Sequence, residues 1–169
     1  SRTLHADVLT ESAKNYYLGQ VYGLRAYYMY QLYRSWGDAV FTEEPSLGFE
    51  VGKLAKAATP AAEIFEQVKK DIESSLSYFG PDYTIKEKKS LWSKAATLML
   101  KADVYLWSAH RDGGEGDART AKNALVDIQN NISRSNLDLM DTYQGVFAYD
   151  NKGNKEIIFT IHNELFEYN

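Results

Sequence analysis

The sequence contains no cysteine, and this absence excludes several kinds of chemistry. A chain without thiols makes no disulfide, has no thiolate nucleophile and offers no thiolate ligand to a metal. No apolar run approaches the roughly 20 residues that a membrane-spanning helix needs. The formal net charge of −4 gives no electrostatic reason to expect nucleic-acid binding. The remaining composition, 44% apolar and 25% charged, is that of an ordinary globular chain.

The histidines and carboxylates show no catalytic or metal-binding spacing. The three histidines are far apart in the sequence, and we expect each to be an ordinary surface or interface residue. A glycosidase needs two carboxylates that face each other across a glycosidic bond. Neither the pair Glu43-Glu44 nor the acidic loop Asp112–Asp117 defines such an arrangement, and the loop lacks the ligand order of a calcium site. The sequence therefore predicts a protein that is not an enzyme and that has no cofactor and no metal.

Aromatic residues are abundant: they make up 14% of the chain, and 13 of them are tyrosines. A tyrosine buries its ring but needs a partner for its hydroxyl, which suits helix interfaces near the surface and polar ligand grooves. Sugars stack their C–H faces on such rings. Trp36, Tyr83 and Trp107 are expected at helix ends or in loops, where a sugar can reach them. They are our candidate glycan contacts, and packing at the helix ends is the alternative for each.

Hydrophobic periodicity predicts four helices and therefore a mostly α fold. We expect the helices to run from Thr10 to Ser35, from Thr59-Pro60 to Gly80-Pro81, from Ser90 to His110 and from Asp117 to Asn136. The first range is either one long helix or two helices broken near Gly19 or Gly23. Thr10 and Thr59 are the expected N-caps of the first and second helices, and Gly37 is expected to end the first helix in the left-handed conformation. The second and fourth helices each carry one apolar stripe. The third is apolar nearly all round and needs at least two neighbours to cover it. This alternation predicts stacked helical hairpins in a single helical domain spanning residues 1–169.

The first helix carries two features that the packing must accommodate. An apolar stripe runs along it through Tyr17, Val21, Leu24, Tyr28 and Leu32. Tyr27 and Tyr30 widen this stripe, so the helix is expected to be covered on several sides by other helices. A second face is made of small residues, which predicts that another helix approaches closely there. Its members are Gly19, Gly23 and Ala26. Arg25 lies inside this apolar helix, and a buried arginine needs a partner, so we expect a structural ion pair with a carboxylate.

The periodicity changes after Leu137 and ends in a strand-like run, Ile157–Ile161. The residues before it, Asp150–Asn154, are rich in turn formers. A lone strand is not stable. The run therefore predicts a small β element near residues 155–163 whose partner strand lies elsewhere, in this chain or outside it.

Three segments carry a resemblance to a known family. Leu24-Arg25-Ala26-Tyr27-Tyr28 followed by Trp36-Gly37-Asp38 is similar to an LRAYYYF…YGD signature. The helix Ala95–Trp107 is similar to AALALLARVYLY, and Asn154–Phe159 is similar to N-x-E-I-I-F. In this order, these segments resemble the SusD/RagB-like proteins. The resemblance implies tetratricopeptide-like helical hairpins, and it implies that this chain is the central helical part of a much longer protein.

The resemblance also implies a function. SusD/RagB-like proteins are surface lipoproteins of the outer membrane in Bacteroidetes-type bacteria, and they bind glycans or other nutrients. The expected ligand is an oligosaccharide or other nutrient, and the expected partner is a SusC-like TonB-dependent transporter. The implied lipid anchor lies upstream of Ser1, outside this sequence. The alternative, from the helical pattern alone, is a tetratricopeptide-like adaptor that holds a peptide or protein partner in its concave face.

The inner position of the third helix gives a test of the helix assignment. We expect Ala96→Asp to destabilise the chain by several kcal/mol, because it buries an unpaired charge. Lys70 is expected on the solvent-exposed face of the second helix, so Lys70→Asp should change the stability by no more than about 0.5 kcal/mol. Thermal unfolding of both variants beside the wild type makes the comparison, and equal melting temperatures for the two variants would contradict the assignment.

Overall fold

The structure is a computed structural model that describes residues 9–42, 55–86 and 89–161. These ranges contain α1 (Glu11–Trp36), α2 (Ala61–Phe79), α3 (Lys94–Ser108), α4 (Gly114–Asn130), α5 (Ile132–Ser135) and α6 (Tyr143–Val146). A π-helical turn, Ala109–Gly113, joins α3 to α4, and a 3-10 turn, Tyr149–Asn151, follows α6. The prediction of a mostly α fold is confirmed.

The four long helices run alternately up and down, so that each packs against the next. Gly19 near the start of α1 lies against the ring of Phe79 at the end of α2, which makes these two helices antiparallel. Arg34 near the end of α1 meets Asp103 late in α3, so α1 and α3 point the same way. The chain therefore forms two stacked hairpins, α1–α2 and α3–α4, as the alternation of helix types predicts.

The face that α1 buries is the small-residue face. The buried residues of this helix are Gly19, Gly23, Ala26 and Tyr30. The close approach predicted from these small residues is confirmed. The prediction that the widened apolar stripe is covered on several sides is right at Tyr30 and wrong at Tyr17, Val21 and Tyr28, which are more than half exposed. Phe79 of α2 and Trp92 approach α1 most closely at Gly19 and Gly23, where α1 has no side chains. The larger residues on the opposite face of α1 therefore stay at the surface.

A buried chain of polar contacts joins α1, α2 and α3. The indole of Trp92 lies on the backbone at Gly23, and its Nε1 donates to Oγ1 of Thr97 at 2.8 Å. The hydroxyl oxygens of Thr97 and Ser75 are 2.9 Å apart. The Ser75 hydroxyl donates to the carbonyl oxygen of Gly19 at 2.7 Å. Because buried polar groups are costly without partners, this chain of bonds fixes how the three helices are placed along one another.

The connection from α1 to α2 is closed by a cap that local sequence does not show. Gly37 has a φ of 74°, in line with the prediction of a left-handed residue at the end of α1. Asp38 then accepts the N–H of Ala61 through Oδ1 at 2.8 Å and so caps α2. The predicted Thr59 cap is wrong, because α2 begins at Ala61 and Thr59 instead pairs with Ala39 in an antiparallel bridge.

The predicted ion pair of Arg25 is confirmed. Its Nε and Nη2 each lie 2.6 Å from a carboxylate oxygen of Asp71 in α2. Asp71 is only 1% exposed, and the side-chain amide of Gln67 also donates to it at 2.9 Å. A buried carboxylate needs such partners, since an unpaired charge there costs several kcal/mol. The pair therefore ties α1 to α2 at mid-length.

The predicted β element is not formed in the described residues. Residues 157–161 belong to no strand and no helix, and the last two residues of the predicted element lie outside the described ranges. The N–H of Thr160 donates to the carbonyl oxygen of Lys89 at 3.0 Å. Ile158 and Phe159 pack on the helical core. The apolar side chains are thus covered by helices, and this replaces the burial that a second strand would provide.

A side chain at Gly23 has no room, which gives a test of this packing. A Cβ atom built there lies 2.0 Å from Nε1 of Trp92. We expect Gly23→Ala to destabilise the chain by about 1–3 kcal/mol through overpacking. Gly116→Ala in α4 is the matched control, because a Cβ there meets nothing within 4 Å and alanine should raise the stability by up to about 1 kcal/mol. Urea unfolding measures the change in the free energy of unfolding for both variants. A change of the same sign in both would contradict the close contact between Gly23 and Trp92.

Candidate functional site

The three predicted glycan contacts lie at opposite ends of the helical bundle. Trp36 is the last residue of α1, and Trp107 lies in the last turn of α3. Because these helices point the same way, the two indoles belong to the same end. Tyr83 follows α2 and lies beside Lys94 at the start of α3, which is the other end. No single site therefore contains all three residues.

Trp36 is an exposed ring on a fixed support. Its side chain is 71% exposed. The turn that follows is held because the N–H of Gly37 donates to the carbonyl oxygen of Tyr33 at 3.0 Å. Most of the residue is accessible to solvent, which suits stacking of its indole against the C–H face of a sugar. Trp36 stays a predicted ligand contact.

Trp107 is half-buried beneath two arginines. The guanidinium carbons of Arg34 and Arg111 lie 5.4 and 4.7 Å from the centre of its ring. Its Nε1 is buried and has no hydrogen-bond partner among the residues that the structure describes. A ligand that approaches this indole therefore meets two cations first. Trp107 also stays a predicted contact, with a more polar environment than a simple stacking surface has.

Tyr83 is nearly buried and packs between helices, and its role as a sugar contact stays a prediction. It is 9% exposed, and its hydroxyl donates to Oδ1 of Asp127 at 2.7 Å. Lys94 and Arg134 lie against its ring, 3.9 and 4.7 Å from the centre. Burial and the hydrogen bond to Asp127 raise the pKa of Tyr83 to about 12. The ring therefore joins the end of α2 to α4.

A groove that the sequence does not reveal lies between α1, α3 and residues 156–159. Its volume is about 350 Å³. Three rings in mutual contact contribute to it, Tyr27, Trp92 and Phe159, with centres 5.0 to 6.4 Å apart. Its polar lining residues are Gln31, Asp103 and Glu156. The aromatic and polar residues come from three distant segments, so only the fold shows that they share one groove.

The comparisons with known proteins agree on one family. No model of a known protein family matches the chain. SusD-like protein P2 of Formosa agariphila is 30% identical over 153 residues, which is 89% of this chain and 28% of that protein. The solved structure of NanU from B. fragilis has a TM-score of 0.86 and 47% sequence identity, and it covers 98% of this chain and 32% of its own.

The chain is SusD-like. It spans less than a third of the length of these two proteins. A more distant structure, solved with xylogluco-oligosaccharide, has a TM-score of 0.71 and 23% identity over 90% of this chain and 30% of its own. At that identity the likeness shows the fold alone. The resemblance predicted from the three sequence segments is confirmed, and so is the SusD-like helical fold.

A second surface of the SusD-like chain was also missed from the sequence. Three aromatic residues near α6 are about two thirds or more exposed, namely Tyr143, Phe147 and Tyr149. The rings of Tyr143 and Phe147 are 5.1 Å apart and tilted by 58°. Isolated aromatics among turn residues give no periodic pattern, and only their exposure in the fold marks them as a surface.

Two kinds of feature are absent from residues 9–42, 55–86 and 89–161 of the SusD-like chain. These ranges bring together no group of three or more His, Cys, Asp or Glu side chains that could hold a metal ion. None of the helices within them combines the length and the apolar character that crossing a bilayer requires.

The raised pKa of Tyr83 allows a test of its burial. Its value of about 12 against the ordinary 10.0 means that folding stabilises the neutral hydroxyl. That contribution, on the order of 2 kcal/mol, is fully present below pH 10 and is lost as the pH rises towards about 12. Urea unfolding should show stability falling over this window, and falling less in Tyr83→Phe. An identical loss of stability in the wild type and in Tyr83→Phe would contradict the burial of the Tyr83 hydroxyl.

Proposed function

We propose that this chain is part of a longer glycan- or nutrient-binding lipoprotein at the cell surface, acting beside a SusC-like TonB-dependent transporter. The observation that supports the proposal is the SusD-like sequence and fold over almost the whole chain. The longer protein binds an oligosaccharide or other nutrient without cleaving it and passes it to the transporter. Its attachment to the outer membrane is through a lipid anchor that lies outside this chain.

Within that protein, the chain supplies mainly a scaffold. The family-like segments place Ala26, Ala96 and Leu100 in the hydrophobic core, where they are 0%, 4% and 6% exposed. Arg25, the arginine of the first of these segments, forms the ion pair with Asp71 that joins α1 to α2. Residues in these positions hold helices together and do not meet a ligand. Ligand contacts from this chain must therefore come from surface residues outside the core.

Trp36 is the surface residue best suited to a sugar. It presents an exposed indole at the end of α1, and Trp107 lies at the same end of the bundle under its two arginines. A single stacked ring supplies only a small part of a binding free energy, and the ordering of loops opposes it. We therefore expect the chain alone to bind oligosaccharides weakly and the longer protein to bind them more tightly.

Calorimetry of the chain and of the longer protein against a panel of oligosaccharides, including xylogluco-oligosaccharide, tests this proposal. Trp36→Ala should weaken binding by about fivefold, equivalent to about 1 kcal/mol. Tyr17→Ala is the matched control, because Tyr17 is an exposed aromatic residue near the other end of the same helix. Its binding should equal that of the wild type.

Several outcomes would contradict parts of the proposal. Tight binding by the chain alone, lost in Trp107→Ala, would refute the scaffold role. Sustained release of reducing ends by the purified protein would refute binding without cleavage. A longer protein that is cytosolic and does not co-purify with a SusC-like transporter from outer membranes would refute the uptake role and favour the tetratricopeptide-like adaptor.

A further inference from the structure

Two buried side-chain atoms lack a hydrogen-bond partner in the described part of the chain, and both belong to one cluster. They are the hydroxyl of Tyr30 and Nε1 of Trp107. Tyr30 is 0% exposed. Buried polar groups in proteins are almost always bonded, so an exception calls for a physical explanation such as a bound ion. Arg34 lies against both rings, 5.3 Å from the centre of Tyr30 and 5.4 Å from that of Trp107.

The two arginines of this cluster have donors to spare. Arg111 makes no ion pair with the residues that the structure describes, and its Nη1 donates to the hydroxyl of Tyr33 at 3.3 Å. Arg34 reaches Asp103 only at 3.5 Å, the outer limit of a hydrogen bond, with both side chains well exposed. Exposed pairs of this kind contribute little to stability. Most of the guanidinium N–H groups therefore remain available to a ligand.

The Tyr30 hydroxyl lies within the electrostatic field of the same groups. Burial is the largest cause that raises the pKa of Tyr30 to about 12. Asp103 raises this pKa further, whereas Arg34 and Arg111 lower it. The hydroxyl is therefore a neutral donor at ordinary pH and senses both arginines. The cluster combines two cations with two buried donors and has one nearby carboxylate.

We propose that Arg34, Arg111, Tyr30 and Trp107 form a binding site for a small oxyanion, such as the carboxylate or sulfate group of an acidic ligand. Guanidinium groups bind such anions with paired, charge-assisted hydrogen bonds. The two exposed arginines turn from the indole face towards the anion, which uncovers the Tyr30 hydroxyl and the Trp107 N–H beneath. The proposal goes beyond the proposed function, because it assigns an anionic ligand group to a cluster that includes Trp107, one of the predicted sugar contacts.

Asp103 sets the balance of charge at this site. Its carboxylate is close to Arg34 and competes with a ligand for that guanidinium. Asp103→Asn removes the competing charge and should tighten anion binding. A site for a cation would respond in the opposite direction, so this variant fixes the sign of the ligand's charge.

Indole N–H signals in two-dimensional NMR spectra of the 169-residue chain give the direct test. The chain has three tryptophans, and Trp107→Phe identifies the signal of Trp107. Sulfate, phosphate, acetate and glucuronate are added separately, with sodium chloride holding the ionic strength constant and glucose as the neutral control. We expect a saturable shift of the Trp107 signal with at least one anion. Trp92, bonded to Thr97, is the internal control and should not shift.

Arginine variants decide whether the proposed residues bind the anion. Arg111→Gln should weaken binding by about tenfold, because it removes a charged hydrogen-bond donor. Arg119→Gln is the matched control, since Arg119 is an exposed arginine of α4 paired with Glu115. Tighter binding of glucuronate than of acetate, with no response to glucose, would identify an acidic sugar, and a preference for sulfate or phosphate would identify those anions.

Three results would overturn the proposal. The first is the absence of a saturable Trp107 shift with every anion. The second is an equal dissociation constant in Arg111→Gln and Arg119→Gln. The third is an equal shift of Trp92, which would show a general salt effect. None of these results bears on neutral oligosaccharide binding by the longer protein, so failure here is distinct from failure of the proposed function.

Discussion

The contact between Gly23 and the indole of Trp92 decides how the helices pack. Because the glycine has no side chain, the indole lies directly on the backbone of α1. From there its N–H reaches Thr97 in α3, and Thr97 meets Ser75 in α2. Three helices thus share one buried set of hydrogen bonds whose geometry allows only one relative placement. The aromatic rings around this contact can fill space in several ways, but the polar groups within it cannot, and this makes the packing specific.

Local sequence predicted the features whose causes are local. Thr10 caps α1 by accepting the N–H of Ala13, as its type and position indicate. A buried arginine needs a carboxylate, so the ion pair of Arg25 followed from its place in an apolar helix. Periodicity failed for Tyr28, because α1 carries apolar or aromatic residues on opposite faces and hydrophobicity alone does not choose between them. The prediction of the residue that caps α2 was wrong for a related reason, since the capping residue, Asp38, lies 23 residues before Ala61, whose N–H it accepts.

The same distinction separates the candidate site residues. An aromatic residue in a connection has the same local pattern whether it faces solvent or fills a gap. Tyr83 is buried and donates to Asp127, 44 residues away, whereas Trp36 is bonded to none of the residues that the structure describes and is 71% exposed. The groove beside Phe159 and the cluster around Trp107 each draw on segments far apart in the chain. Residue type indicated the chemistry available to a site, and tertiary packing decided which side chains meet.

The bridge between Ala39 and Thr59 holds the two ends of the α1–α2 connection together through backbone hydrogen bonds of 2.9 and 3.3 Å. Asp38 adds a third bond at Ala61. These three hydrogen bonds hold the end of α1 and the start of α2 at a fixed separation. The hairpin is therefore clamped at this end by backbone groups and one carboxylate, and side-chain packing between the helices is not the only restraint on it.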